Sequence, residues 1–347
     1  MALSVDIQKR LGRFQLSVQF ETGNEPLALL GASGCGKSVT LRCIAGILTP
    51  DEGKIVLDGE TLYDSAAGIN LPPQRRKTGY LFQQYALFPH MTVRQNIAAA
   101  VRSRQLRQAV AAEKIRQFRL EDAADKKPCQ LSGGQQQRAA LARILASDPR
   151  SILLDEPLSA LDSYLKYQLE LELAEAMDGF SGTVLWVSHD LGEVYRNCRR
   201  VCVLEEGRSQ GVRTLEDLLR RPETEAAARL SGCKNFADVL PAGCAVTIPD
   251  WAVTLKCGCP VPDTVRRIGI RARHVSLAPP EAENAFPCRV TRVIEDLSSA
   301  VVLLTPLGAC PGAPLLRMEL DSPARQLIAG TEQVTVAVQP RDILLLK

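Results

Sequence analysis

The first two hundred or so residues read as an α/β domain built on a parallel sheet, and the remainder as a smaller β-rich domain. Three observations carry this reading. Short apolar runs alternate with helical stretches as far as about residue 204, and one of them, Leu27-Ala-Leu-Leu30, feeds straight into the glycine-rich segment Gly31–Ser38. Beyond about 222–235 helical periodicity fades and proline accumulates, with twelve of the 21 prolines after residue 240. Alternating strands and helices give a parallel sheet covered on both faces, so the division is drawn at 1–230 and 231–347.

The elements come in this order. Residues 3–8 and 14–20 are expected to form antiparallel strands around Leu11-Gly12. Phe14, Leu16, Val18 and Phe20 alternate there with Gln15, Ser17 and Gln19, giving one apolar and one wet face. Leu27–Leu30 reads as a buried strand, and a helix runs from Lys37 through Ile44 to a stop near Gly46. Gly79–Phe82 is a short apolar strand. From Gln84 to about 150 the chain is rich in Ala, Gln and Arg and reads as a helical insert, succeeded by a strand at 151–154. A helix near 163–177 and strands at 183–187 and 201–204 complete the domain, the last strand closed by Glu206-Gly207. In the tail, the apolar stretches 300–304, 333–338 and 342–346, with Val334, Val336 and Val338 in strict alternation, predict a small barrel or sandwich.

Composition bounds the function. The 347 residues are 46% hydrophobic and 23% charged, as in an ordinary globular protein of two domains. Lys and Arg number 42 against 39 Asp and Glu, which argues against a broad nucleic-acid footprint. The amino terminus, MALSVDIQKR, has no apolar signal core. The longest uncharged run, Leu297–Leu316, holds three prolines and two glycines and reads as strands and turns rather than a spanning helix. Eleven scattered cysteines, with Cys257-Gly-Cys259 the only close pair, read as reduced thiols rather than a metal centre.

Five segments then fall in a fixed order: GASGCGKS at 31–38, FQQ at 82–84, LSGGQQQR at 131–138, ILLDEP at 152–157 with SALD behind it, and SHD at 188–190. The first fits the phosphate loop G-x-x-x-x-G-K-S. Gly31, Gly34 and Gly36 let the backbone curl around Ala32, Ser33 and Cys35, so that N–H groups face phosphates and the adjoining helix adds its positive end. Lys37 can reach between β- and γ-phosphates, and Ser38, ahead of Val39, can place its hydroxyl on Mg²⁺. Asp155 ends an apolar strand where a carboxylate can hold the Mg²⁺ shell, and Glu156 stands one residue on. Ser132, Gly133, Gly134 and Gln135 open a helix. A hydroxyl and unpaired N–H groups there make a second anion site, which suits the phosphate of a partner's nucleotide. Cys35, at a helix start, is expected to ionise easily and to block ATP when alkylated, unless burial leaves it inert.

Together the five segments resemble the ATP-binding subunit of an ABC transporter, over residues 1 to about 230. The resemblance implies an ATPase whose two copies sandwich two ATP molecules head to tail, Lys37 of one facing Ser132 of the other, with Asp162 of SALD at the same interface. It implies that Glu156 is the general base, that His189 contacts the γ-phosphate, and that Gln83 reaches Mg²⁺ or the attacking water, with Gln84 its rival. Phe14 lies where this family puts a stacking aromatic for adenine, although its alternating apolar face is equally a core signature.

The stretch QQYALFPHMTVRQNI at 83–97 resembles importers of the maltose, sulfate and molybdate kind. It implies a groove of Tyr85, Leu87 and Phe88 for a membrane permease, with some of the three packing the insert's own core instead, a binding protein beyond it, and a peripheral place on the cytoplasmic face of the membrane. A soluble ABC ATPase, or a regulatory module without turnover, is the rival class. The second would lack Glu156 or His189. Residues 268–278, IGIRARHVSLA, and the β-rich stretch after them resemble the carboxyl-terminal (OB/Mop-like) domain of molybdate-type ATPases. That favours molybdate or tungstate over sulfate or thiosulfate, iron, polyamines or sugars. In the tail, Glu281-Ala282-Glu283-Asn284 stands where such domains carry an oxyanion-binding stretch. Its two carboxylates would repel a dianion, so the tail is expected to have lost direct feedback binding and to serve in dimer contact.

Overall fold

The computed structural model describes residues 2–158, 163–295, 299–321, 328 and 330–346. They fall into two compact units, 1–215 and 216–347. The boundary read from the sequence, 230/231, lies inside the second unit. Arg271 of that unit donates to the Leu219 and Ser231 carbonyls, and Arg267 ion-pairs with Glu225, so the segment 216–231 packs with the β-rich domain.

In the first unit, β1 (Leu3–Leu11) and β2 (Phe14–Thr22) pair antiparallel from Leu3↔Thr22 to Leu11↔Phe14. Then come β3 (Leu27–Leu30), α1 (Lys37–Ala45), β4 (Glu52–Leu57), β5 (Glu60–Asp64), β6 (Ile69–Asn70) and β7 (Thr78–Leu81). The helical insert holds α2 (Val93–Ala100), α3 (Arg107–Gln117) and α4 (Gly133–Ala146). After it come β8 (Ser151–Asp155), α5 (Ser163–Asp178), β9 (Thr183–Ser188), α6 (Leu191–Asn197), β10 (Arg200–Glu205) and β11 (Arg208–Thr214). Among the described residues these strands make one sheet in the order β6-β5-β4-β1-β2-β11-β10-β3-β9-β8-β7.

The parallel half, β10-β3-β9-β8-β7, positions the site. Every residue of β3, β8 and β9 is buried, as expected for strands covered on both faces. Their carboxyl ends therefore converge on one edge, where ligands of open α/β sheets sit. The hairpin β4–β5 turns through Asp58 and Gly59, both at positive φ (51° and 79°), as a two-residue turn needs.

The second unit begins with two short helices, α7 (Leu215–Arg220) and α8 (Glu225–Leu230). Its strands are β12 (Asn235–Asp238), β13 (Leu240–Ala242), β14 (Ala245–Ile248), β15 (Val253–Lys256), β16 (Arg267–Ile270), β17 (Val275–Leu277), β18 (Ala285–Glu295), β19 (Ser299–Pro306), β20 (Leu316–Asp321), β21 (Gln333–Val338) and β22 (Ile343–Leu346). They form sheets β12-β16-β22, β13-β14-β15 and β17-β21-β18-β19-β20. The three sheets close over one core, including Val246, Trp251, Leu255, Val302, Leu304, Met318 and Val336, as a small, nearly barrel-shaped, OB-like domain. The proline-rich run after β19 is turn, and among the described residues no helix is long and apolar enough to cross a membrane.

Candidate nucleotide site

The loop between β3 and α1 is shaped by glycine. Gly36, the residue before α1, sits at φ 108°, and a Cβ there would lie 2.5 Å from Leu16 Cδ1 and 3.1 Å from Phe14 Cζ. Among the described residues no side chain caps α1, so its first N–H groups and positive end are available to an anion. The buried Lys37 folds back over the loop and donates from Nζ to the Gly31 carbonyl at 2.7 Å and the Ala32 carbonyl at 3.0 Å. Both acceptors can be exchanged for phosphate oxygens. Ala32, Ser33 and Gly34 are exposed along the loop, and Val39 is half-buried behind Ser38.

Across the sheet edge, Ser38 Oγ donates to Asp155 Oδ1 at 2.8 Å. A hydroxyl and a carboxylate on one face are the hard oxygen donors that Mg²⁺ takes, so the residues present fit that ion. Asp155 is itself held by Tyr80, whose hydroxyl donates to Oδ2 at 2.7 Å from the neighbouring strand β7. Burial first, then the Asp155 charge, pushes the Tyr80 phenol far above its usual range, so it remains a donor.

Glu156 comes next with φ 48°, a left-handed conformation uncommon for a side-chain-bearing residue, and its N–H donates to the Val187 carbonyl at 3.1 Å. That turn lifts the Glu156 side chain out of the strand direction, and Oε1 lies 3.4 Å from Nδ1 of the exposed His189. Lys37, Ser38, Asp155, Glu156 and His189 thus gather at the carboxyl ends of β3, β8 and β9. Gln83 and Gln84 are both exposed just after β7. Phe14 is half-buried with its ring edge over Gly36, so it packs on the core and borders the loop at once.

Ser132 caps α4: its hydroxyl accepts from the Gln135 N–H at 3.3 Å, and Gln135 Oε1 accepts from the Ser132 N–H at 3.1 Å. Ser132 and Gly133 are exposed. Gly134 is buried, and a Cβ there would lie 3.3 Å from Leu169 Cδ1. Asp162 lies outside the described residues. One expectation is overturned. Cys35 is not an easily ionised thiol: burial pushes its pKa up, more than the nearby Lys37 charge pulls it down. Of the three residues expected at the groove, Tyr85 is the one that packs as core, and Leu87 and Phe88 stay accessible.

Some residues that matter here escaped the sequence. Tyr80 reads there as one more apolar strand residue. The buried Asn96 accepts from the Phe88 N–H at 2.8 Å and donates to the carbonyls of Phe88, Met91 and Thr92. It thereby fixes the accessible loop. Behind His189, the buried Glu193 accepts from Trp186 Nε1 at 2.8 Å and Ser188 Oγ at 2.9 Å, while Lys166 pairs with Asp190 at 2.6 Å. In the second unit, Asn284 is not a free donor. Its amide accepts from the Lys256 N–H and donates to the Lys256 and Val338 carbonyls, and Glu283 lies 3.5 Å from Lys256 Nζ.

The model of the ABC transporter family matches residues 14–159. A molybdenum import ATP-binding protein of Rhizobium johnstonii is 35% identical over 307 residues, 86% of each chain. The chain belongs to the ABC transporter family. It is accordingly an ATP-binding, ATP-hydrolysing protein. A spermidine/putrescine import ATP-binding protein of Methylococcus capsulatus is 40% identical over 262 residues, 74% of this chain and 66% of that one. Among solved structures, an ATP-binding cassette dimer in a post-hydrolysis state with ADP and Pi is similar at a TM-score of 0.52 and 30% identity. That match covers 62% of this chain and 99% of the cassette.

Proposed function

We propose that this chain is the ATPase subunit of an importer for a molybdate-type oxyanion. It would work as a homodimer beneath separate integral-membrane permease subunits, on the cytoplasmic face, with a substrate-binding protein delivering the solute. The carrying observation is the reach of the similarity. The match to the R. johnstonii molybdenum relative takes in 86% of both chains, and therefore much of the β-rich unit. The polyamine relative is matched over 66% of its length. Its higher identity keeps a polyamine importer as the second reading.

In the proposed mechanism the phosphates of ATP displace the Gly31 and Ala32 carbonyls from Lys37 and take up the N–H groups at the start of α1. Ser38 and Asp155, with Gln83, would hold Mg²⁺, which when bound neutralises charge on the phosphate oxygens. Glu156 takes the proton of the attacking water, and His189, within reach of its carboxylate, faces the γ-phosphate. Phe14 borders the adenine. Ser132 to Gln135 of the second copy, and its Asp162, close the site from the other side, so hydrolysis needs both chains.

Uptake of labelled molybdate and labelled spermidine, in cells lacking their own ATPase subunits but supplied with the matched permease and binding protein, tests the substrate. Molybdate uptake that depends on this chain is expected; uptake of spermidine alone would contradict it. In the tail, titrating molybdate into the full chain should give no heat of micromolar binding. The two carboxylates would repel the dianion, and the amide of Asn284 is already engaged by Lys256 and Val338.

A further inference from the structure

Charge is unevenly distributed along this chain. Between residues 84 and 150 there are twelve basic and five acidic residues, a net +7, leaving thirty and thirty-four elsewhere, a net −4. No Asp or Glu occurs between Asp64 and Glu113. Toward the end of that stretch, the turn joining α2 to α3 and the first residue of α3 carry Arg102, Arg104 and Arg107, all exposed, around Leu106, which is 55% exposed. Among the described residues none of the three has an acidic partner. Arg102 donates to the Gln74 carbonyl at 3.3 Å, next to the exposed Arg75, and Arg107 donates to the Val101 carbonyl at 3.0 Å. Arg104 and Arg107 also lie at the amino end of α3, the end of a helix dipole where cations are disfavoured, and the first turn of α3 holds no acid to offset them.

We propose that this turn docks on an anionic phospholipid surface. Guanidinium groups match phosphates with paired donors, and a bilayer supplies a plane of them. An apolar side chain ringed by arginines fits the boundary between headgroups and acyl chains. The inference rests on the importer reading, which puts the chain beside a membrane. The contact would orient the insert toward the bilayer.

The test is co-sedimentation of the purified full chain, without permease, with vesicles of phosphatidylcholine alone or mixed with phosphatidylglycerol. Binding is expected only to the anionic vesicles, at about 50 mM salt, and is lost as salt screens it. Roughly fivefold per arginine is expected, so Arg102→Gln with Arg104→Gln and Arg107→Gln should weaken partitioning about a hundredfold. Arg104→Gln alone, at a side chain with no bond among the described residues, should cost about fivefold with ATP turnover in solution unchanged. Protein that stays in the supernatant with anionic vesicles, or a triple variant that binds as well as wild type, overturns the proposal. So does a triple variant that binds vesicles normally but fails to co-purify with the permease, since that assigns the turn to an acidic protein partner. A chain that drives uptake without binding vesicles rejects this contact and leaves the importer reading standing.

Discussion

Tyr80→Phe removes one oxygen from a buried hydrogen bond to the carboxylate that is expected to hold the metal. Tyr80 is 8% and Asp155 6% exposed, and the bond is 2.7 Å long. Hydrogen bonds to charged groups contribute about 1.5–3 kcal/mol, and water cannot readily replace this one. For a unit of 215 residues, at about 2–4 °C per kcal/mol, melting should fall by roughly 3–12 °C. Asp155 would keep only its Ser38 partner, so the carboxylate would be free to rotate. The Mg²⁺ concentration for half-maximal ATP turnover should then rise severalfold while kcat changes less, which a merely structural tyrosine would not cause. Thermal unfolding, with turnover titrated against Mg²⁺, measures both. A melting shift under about 1 °C with an unchanged Mg²⁺ requirement would refute the positioning argument.

Ser132→Arg should leave ATP binding to each chain intact and strongly impair hydrolysis, because the side chain would block the second copy's site. A mixture of Ser132→Arg with Lys37→Ala chains should retain one working site at most, read as turnover against mixing ratio. Iodoacetamide near neutral pH should label the exposed Cys129, Cys244, Cys259 and Cys310 well before the buried Cys35, and mass spectrometry orders them. The carboxyl of Glu193 is shifted upward, chiefly by burial and against its bonds from Trp186 and Ser188. The folded state therefore binds its proton more tightly than the unfolded one. Stability relative to Glu193→Gln should thus fall as pH rises above about 4.5, with Lys166 softening the slope and Asp190 adding to it. A difference independent of pH between 4 and 7, in urea unfolding, would count against that burial.

What the sequence made legible was whatever rests on a local pattern. The run Leu27–Leu30, the glycine loop and the helix from Lys37 are contiguous, and each signals the next. Asp155 and Glu156 stood out only through the motifs around them, since two acids at the end of an apolar strand would by themselves read as a solvated strand end. The alternation at Phe14–Phe20 predicted β2 for the same reason. What escaped depends on groups brought together from afar. Tyr80 meets Asp155 only because β7 and β8 lie side by side, and the protonation of Cys35 depends on burial that no window of sequence reports. Asn284 lies in the stretch that stands where such domains bind an oxyanion, but its amide is engaged by Lys256 and Val338. The hairpin through Asp58-Gly59 carries an ordinary turn signal.

Glu156→Gln tests shared-site hydrolysis most directly, through ATP turnover and sedimentation of the same sample. The amide keeps the shape of the side chain and its left-handed turn but cannot accept the water's proton. Turnover should fall by about a hundredfold or more, ATP should stay bound, and the ATP-loaded protein should sediment as a dimer that wild type forms only transiently. A variant that hydrolyses ATP at near wild-type rate, or that holds ATP while sedimenting as a monomer, would contradict it.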